Sequence, residues 1–424
     1  MEFVPTDLRQ ARRPDFDDLV RTFGRIGLQS FGGPAGQIAV MHRILVDEKR
    51  WLDEPRFLHA LQFCMLLPGP EAMQLAAYTG WLLGGLRGAL VAGGLFIAPG
   101  FAALLALSLA YSALSSAGLV AAIFLGVKAA VVAIVFEALG RISKRALASR
   151  ASKGVAVAAF VLLFAFSVPF PLVVALAALL GAVTRGFGAP PGDVSPDDGS
   201  SSAVRWRSTA TTLAVGVMVW LAPLAAIAIA TGTQSIWTQI GAFFAGAAVV
   251  TFGGAYAVLA YVAQQAVEVF GWLDAGTMLD GLALAESTPG PLIMVTQFVG
   301  YHAAFGDPGT LNPALAGLLG SVLTTWVTFV PSFVFVLAGA PWMERLRGRR
   351  GLSSALGAVM AAVVGVIANL SVYVTMQAIF RTVLRVDSGP WHLSYPEWAS
   401  VDWRVLALVV FAGGLLRWRH NMPL

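Results

Sequence analysis

Residues 90–111 read LVAGGLFIAPGFAALLALSLAY, an unbroken apolar stretch without one charged side chain. At 1.5 Å per residue a helix of this length runs roughly 33 Å, enough to cross the hydrocarbon core of a bilayer. Similar runs follow at Leu119 to Leu139 and Leu352 to Ile379. Only 12% of the chain is charged while 57% is hydrophobic, against about a quarter charged in soluble domains, so most of this surface does not face water. The 45 glycines suit close helix packing in lipid, where small residues let backbones approach. Short alternating strands of the kind a barrel needs are not evident. These features predict an all-α polytopic membrane protein. The polar start, with Arg9, Arg12, Arg13, Asp15, Asp17 and Asp18, lacks the apolar core of a secretory signal, so no cleaved peptide is expected. Cys64 is the single cysteine, which excludes an internal disulfide and argues against a cysteine metal site.

Outward from that run, the chain repeats itself. Ser30-Phe31-Gly32-Gly33, Trp51-Leu52-Asp53 and Leu67-Pro68-Gly69-Pro70 return as Thr251-Phe252-Gly253-Gly254, Trp272-Leu273-Asp274 and Thr288-Pro289-Gly290-Pro291, all at one offset of 221 residues. Pro99 then answers to Pro331, and Gly126-Val127 to Gly365-Val366, after an insertion near Asp307 to Asn312. The expected organisation is a polar segment 1–14, a first repeat 15–150, a short helical hairpin 151–185, a soluble linker 186–208, a connecting helix 209–233, a second repeat 234–385, and a C-terminal segment 386–424 with a short helix. The arms of the hairpin, 155–168 and 171–184, are separated by Pro169-Phe170-Pro171, and each reaches only about 20 Å. The linker is rich in Gly, Pro, Ser and Asp.

Charge placement bears on orientation. Arg43, Lys49, Arg50 and Arg56 lie between the FGG and PGP motifs of the first half, whereas 263–277 carries no Lys or Arg. Conversely, 112–118 has none, and its counterpart 341–351 carries Arg345, Arg347, Arg349 and Arg350. By the positive-inside rule, equivalent loops then lie on opposite sides. That is an inverted-topology repeat with helices broken at the FGG and PGP motifs, an arrangement used by transporters.

Proline removes a main-chain donor and glycine tolerates unusual dihedrals, so PGP interrupts a helix. In lipid such a break survives only where protein or a polar cavity satisfies the freed groups. A half-helix starting there offers N–H groups and a positive dipole end to an anion. A plain kink is the alternative, but two copies in register, each with its FGG companion, favour binding. The candidate substrate residues are therefore Phe31, Gly32, Gly33, Pro68, Gly69, Pro70, Gln74, Phe252, Gly253, Gly254, Pro289, Gly290 and Pro291, together with Lys128. Lys128 sits mid-run, where a charge costs about 2.5–3.5 kcal/mol. Its use is either to balance an anion or to pair structurally with Glu137 or Glu71. Glu71 and Glu286 flank the two PGP motifs, as dipole caps or as proton-coupling carboxylates. Gln37, Gln74, Gln297 and Asn369 offer hydrogen bonds to oxyanion oxygens or between helices. His42 and His59 lack metal-ligand spacing and are expected at the surface, and Trp51 and Trp272 at the membrane interface. No phosphate-binding, dinucleotide or zinc-protease motif is present, so no cofactor or metal is expected and the chain does not read as an enzyme or a primary pump.

Phe31-Gly32-Gly33-Pro34-Ala35-Gly36 with Leu67-Pro68-Gly69-Pro70-Glu71-Ala72-Met73-Gln74-Leu75, and their second-half partners, resemble the chromate ion transporter family. The likeness covers nearly the whole chain and matches the family's two-domain, long-chain members. It implies chromate efflux across a bacterial cytoplasmic membrane, chromate resistance, and a transport role for the FGG and PGP segments and Lys128. Two departures stand out: Ile367 occupies the position equivalent to Lys128, and Leu292 that of Glu71, so the halves do not supply identical ligands. The rivals are a transporter of sulfate or molybdate, which share chromate's shape, a passive anion channel, and, far behind, an intramembrane enzyme. The expected partners are a chromate- or sulfate-like oxyanion and the bilayer, with a homodimer allowed and nucleic acid not expected.

Overall fold

The computed structural model describes residues 14–114, 118–187, 206–252, 255–340, 350–389 and 391–420. The polar N-terminus, most of the 186–208 linker, Gly253-Gly254 and the arginines at 345–349 fall outside them. Among the described residues, four helical stretches are long and apolar enough to cross a bilayer: Glu71–Leu114, Thr209–Thr231, Pro313–Gly339 and Ser353–Ile379. Shorter apolar helices cover Phe170–Thr184, Ile236–Val250, Leu292–Gly306 and Trp403–Leu415. The protein is a helical membrane protein.

The first half runs α1 (Phe16–Gln29), α2 (Gly33–His42), a π-helical turn (Arg43–Glu48), α3 (Glu54–Cys64) and α4 (Glu71–Leu114). After α5 (Gly118–Ala146), α6 (Arg150–Phe164), α7 (Phe170–Thr184) and α8 (Trp206–Thr231), the second half begins. It has α9 (Ile236–Val250), α10 (Ala255–Gln264), a π-helical turn (Gln265–Val269), α11 (Ala275–Ser287), a 3-10 turn (Leu292–Met294), α12 (Val295–Gly306) and α13 (Pro313–Gly339). α14 (Arg350–Ile379), strands β1 (Val383–Ser388) and β2 (Trp391–Pro396), and α15 (Trp403–His420) complete the chain. Helices are interrupted at Phe31-Gly32, at Thr251-Phe252 and at both PGP motifs.

Local bonding repeats at the same offset. The Lys49 N–H donates to Ile44 O and the Trp51 N–H to Leu45 O, while Phe270 donates to Gln265 O and Trp272 to Ala266 O. Asp53 accepts from the Arg56 N–H, and Asp274 from the Thr277 N–H. Arg50 and Gly271, again equivalent, share positive φ values of 54° and 62°. The WLD motif is thus a turn signal: Asp caps the helix that follows.

As one straight rod α4 would be roughly 66 Å long, about twice the bilayer core. It is instead two helices, because Gly84 and Gly85 are non-helical. Gly80 and Gly88 lie back to back across the reversal, and a side chain on Gly93 would meet Ala77. Gly85 sits at φ 61°, ψ −150°, a region all but reserved for glycine. Gly85→Ala is expected to cost about 1–3 kcal/mol, seen as a lower melting temperature of the purified protein. Gly94→Ala, where an added Cβ meets nothing within 4 Å, should leave that temperature unchanged or slightly raised.

The chain divides into two compact units, each drawing on both halves. The first comprises Met1–Leu109, Gly199–Ala255 and Leu284–Arg347. Here α13 packs on α8, α9 and α12, with the Trp220 indole donating to Val327 O at 2.9 Å and Gly300 against Gly320. The second comprises Ala110–Asp198, Tyr256–Ala283 and Gly348–Leu424. Its central α14 packs on α5, α6 and α7, made close by Gly365 against the Ala156 carbonyl and Gly181 against that of Ser354.

One element departs from the all-α expectation. β1 and β2 form an antiparallel hairpin, with Arg385 opposite Ser394 and Asp387 opposite His392. Its sequence alternates with period two, but the two six-residue strands are too short to stand out beside spans several times longer.

Candidate functional site

Within the first unit each PGP break is held by the other half. The Gly69 N–H donates to Thr251 O at 2.7 Å, and the Gly290 N–H to Ser30 O at 2.9 Å. Donors and acceptors match across the 221-residue offset, so the two bonds form a reciprocal clasp. Ser30 and Thr251 bond back to their own helices, through hydroxyls to Ile26 O and Ala247 O. The Gln37 amide adds a 2.6 Å bond to Gly290 O. The helices carrying Pro99 and Pro331 cross the same breaks. A Cβ on Gly290 would lie 3.0 Å from Gly100 Cα, and one on Gly69 would lie 2.6 Å from Ser332 Oγ. Positive φ values of 127° and 98° at Gly69 and Gly290 turn these N–H groups toward the opposite carbonyls.

That geometry corrects the expectation of unpaired amides at the motif glycines. Both N–H groups are spent on the clasp, because two broken backbones in an apolar interior satisfy each other first. α4 begins at Glu71, and its first rung is Gln74 N–H to Pro70 O at 3.0 Å, so the amides of Glu71, Ala72 and Met73 precede it. Glu71 thus stands in the first turn, where its charge suits the dipole. Gly69, Pro70, Gly290 and Pro291 are buried and Pro68 and Pro289 half-buried. Phe31 is exposed, Gly33 buried and Phe252 half-buried. The Gln74 amide donates to Pro68 O at 2.7 Å and that of Gln297 to Phe101 O at 3.2 Å. These glutamines therefore tie backbone segments together. Their Oε1 atoms, like that of Gln37, have no hydrogen-bond partner among the described residues.

Lys128 belongs to the second unit, and its partner is neither Glu137 nor Glu71. Its Nζ lies 3.4 Å from Oδ1 of Asp280, whereas Glu137 sits 4.0 Å from Arg141, one turn along α5. The Asp280 side chain is only 6% exposed and that of Lys128 25%. The Tyr111 hydroxyl donates to Asp280 Oδ2 at 2.9 Å and lies 3.4 Å from Thr277 Oγ1. Thr277 in turn donates to Asp274 Oδ2 at 2.6 Å. A polar line thus runs Lys128, Asp280, Tyr111, Thr277, Asp274. Asp280 escaped the sequence reading although Leu279, Leu282 and Leu284 surround it; the depth rule that singled out Lys128 applies to it equally.

The remaining candidates take structural positions. Glu286 is next to last in α11 and half-buried. His42 bonds Glu54 and lies 3.5 Å from Asp47, and His59 is half-buried. Trp51 is buried at 9% exposure beneath the Lys49 ammonium, 5.5 Å from the ring centroid. Trp272 stacks on Phe270 at 4.3 Å. Among the described residues no group of three His, Cys, Asp or Glu is placed to hold a metal.

A sequence profile described as "Chromate transporter" matches residues 18–182 and 238–424. The chain belongs to the chromate transporter family. It is 34% identical over 359 residues to a "Chromate transport protein" of Pseudomonas aeruginosa, covering 83% of this chain and 79% of that one. A "Chromate transport protein" of Cupriavidus metallidurans is 28% identical over 365 residues, covering 85% and 83%. An "Uncharacterized transporter" of Methanocaldococcus jannaschii is 24% identical over 424 residues, covering 98% and 93%. No solved structure matches the chain. In this member of the chromate transporter family the second-half counterparts of Lys128 and Glu71, Ile367 and Leu292, are buried apolar side chains, so the polar line is not duplicated.

Proposed function

We propose that this protein is a secondary carrier that exports chromate across the cytoplasmic membrane as a multi-pass protein, giving chromate resistance. The single supporting observation in the molecule is the Lys128–Asp280 pair, a cation held in a largely apolar helix by a buried acid. Intramembrane charges of this kind mark ion pathways, and the names of the relatives point to chromate as the ion. Lys128 supplies positive charge to the passing dianion, and Asp280 holds Lys128 between passages. The FGG and PGP segments act as the joint on which the halves rock, an assignment supported by the reciprocal Gly69–Thr251 and Gly290–Ser30 bonds. Glu71 and Glu286 are the carboxylates assigned to any coupled proton.

Export needs no coupling on energetic grounds. Moving two negative charges out of a negative-inside cell releases ~4.6 kcal/mol per 100 mV. The test is flux into proteoliposomes offered chromate, sulfate or molybdate. Saturable chromate flux with counter-flow is expected. Faster movement of sulfate or molybdate would reassign the substrate, and unsaturable flux would make the protein a channel.

The matched turns and clasp bonds also support two homologous halves of inverted topology, with repeats at 15–150 and 234–385. Lys49→Cys and Val269→Cys, each in a Cys64→Ala background, report on the two π-helical turns. Membrane-impermeant maleimide should label Val269→Cys in intact cells and Lys49→Cys only after permeabilisation. Labelling of both from one side would make the repeats parallel.

A further inference from the structure

The β1–β2 hairpin is inside out for a hairpin in water. Along β2 the exposed positions are Trp391, Leu393 and Tyr395, and the half-buried ones His392, Ser394 and Pro396. Leu384 and Val386 on β1 are exposed as well. Side chains alternate faces along a strand, and the pairing of Arg385 with Ser394, two residues on from His392, puts these three polar residues on one face. An antiparallel hairpin ordinarily turns its apolar face to the core. Here the apolar residues face outward, as at a membrane interface, while His392 and Ser394 are half-buried and Arg385, though 44% exposed, lines the same side.

What they face is a cavity of about 60 Å³ within the second unit. At roughly 10–15 Å³ per water, it holds several waters or one small tetrahedral anion. Arg385 and His392 line it from the hairpin, Asn369 and Tyr373 from α14, and Gln264 from α10. The His392 N–H donates to Ala165 O at 2.8 Å, which docks the hairpin on the α6–α7 turn. The Tyr373 hydroxyl is buried and has no hydrogen-bond partner among the described residues, a state that costs stability unless a guest accepts its proton. Glu268 is the one acid among the lining residues. It accepts from Arg385 at 3.1 Å, with the two side chains 30% and 44% exposed, and ion pairs this open to solvent hold weakly.

We propose that this cavity is a vestibular binding site for a tetrahedral oxyanion, with Arg385 as its charged ligand and Glu268 as a built-in competitor for that arginine. The site takes an anion because every lining polar group except Glu268 can donate, and the planar guanidinium fork matches two oxyanion oxygens at once. Glu268 occupies the fork when the site is empty and is displaced when an anion enters, which keeps occupancy low and release fast. The choice of chromate or sulfate as ligand rests on the transport reading; the geometry of the site does not.

The test is calorimetric titration of the full-length detergent-solubilised protein with sodium sulfate and sodium chromate, comparing wild type, Arg385→Gln and Glu268→Gln. Arg385→Gln is expected to weaken anion binding at least about tenfold, the loss of one charge-assisted contact. Glu268→Gln should tighten it several-fold by removing the competitor. Opposite signs are the signature, since a purely structural latch would be hurt by both substitutions. Equal weakening by both, or no change with either, overturns the proposal, and melting temperatures within a few degrees of wild type show that both variants are folded. The same proteins in proteoliposomes keep the two readings apart. Opposite binding shifts without chromate flux would sink the transport reading and leave the site standing. Normal flux with unshifted binding would do the reverse.

Discussion

Lys128→Met should abolish chromate flux in proteoliposomes and destabilise the protein. Removing one partner of a buried ion pair leaves the other charge uncompensated and typically costs about 3–5 kcal/mol; with Lys128 25% exposed, the lower end applies. Asp280→Asn should cost less, since an amide still accepts from Tyr111 while Lys128 regains some solvation. In the double variant Lys128→Met/Asp280→Asn neither charge is stranded, so thermal stability should return most of the way to wild type. This non-additivity is what a double-mutant cycle isolates. Transport should not return with it, because the cation that meets the anion is gone. Recovery of both stability and flux in the double variant would reduce Lys128 to a structural partner of Asp280.

The second large effect lies at the clasp. Gly290→Ala places a methyl group 3.0 Å from the backbone of Gly100, at φ 98°, and neither segment has a side chain that can move aside. Gly100→Ala attacks the same contact from the other side, 2.6 Å from Pro289 O. Both should prevent accumulation of folded protein in the membrane, read as loss of the monodisperse peak after solubilisation. Gly69→Ala is expected to be milder. Its φ of 127° is as costly, of order 1–3 kcal/mol, but its clashes are with the ends of the Gln74 and Ser332 side chains. Ser332→Ala should therefore partly rescue Gly69→Ala, and no single-residue change should rescue Gly290→Ala. Equal severity at the two glycines would mean that the backbone contact at Gly100 does not set the cost.

The breaks and turns were open to reading because they obey local rules. The Pro-Gly-Pro triplets at 68–70 and 289–291 interrupt helices, and Asp53 and Asp274 start them. Lys128 was visible because a charge in an apolar run has few structural excuses. What stayed hidden depends on which segments meet. Nothing local says that Gly69 bonds to Thr251 or Gly290 to Ser30, and the amides of the two motif glycines are taken because their partners lie 182 and 260 residues away in sequence. Asp280 went unseen because the loop-and-motif alignment sets it opposite His59, away from every repeated motif. The hairpin stays hidden because its two six-residue strands alternate too briefly to stand out beside the long apolar spans.

The most direct measurement is chromate accumulation in proteoliposomes under an imposed membrane potential, interior positive. A carrier moving the bare dianion should reach a steady gradient of roughly three decades per 100 mV, from ~4.6 kcal/mol of driving force at 1.36 kcal/mol per decade. Lys128→Met vesicles should show none. Chromate levels in wild-type vesicles that ignore the potential would contradict carriage of a charged oxyanion by this protein.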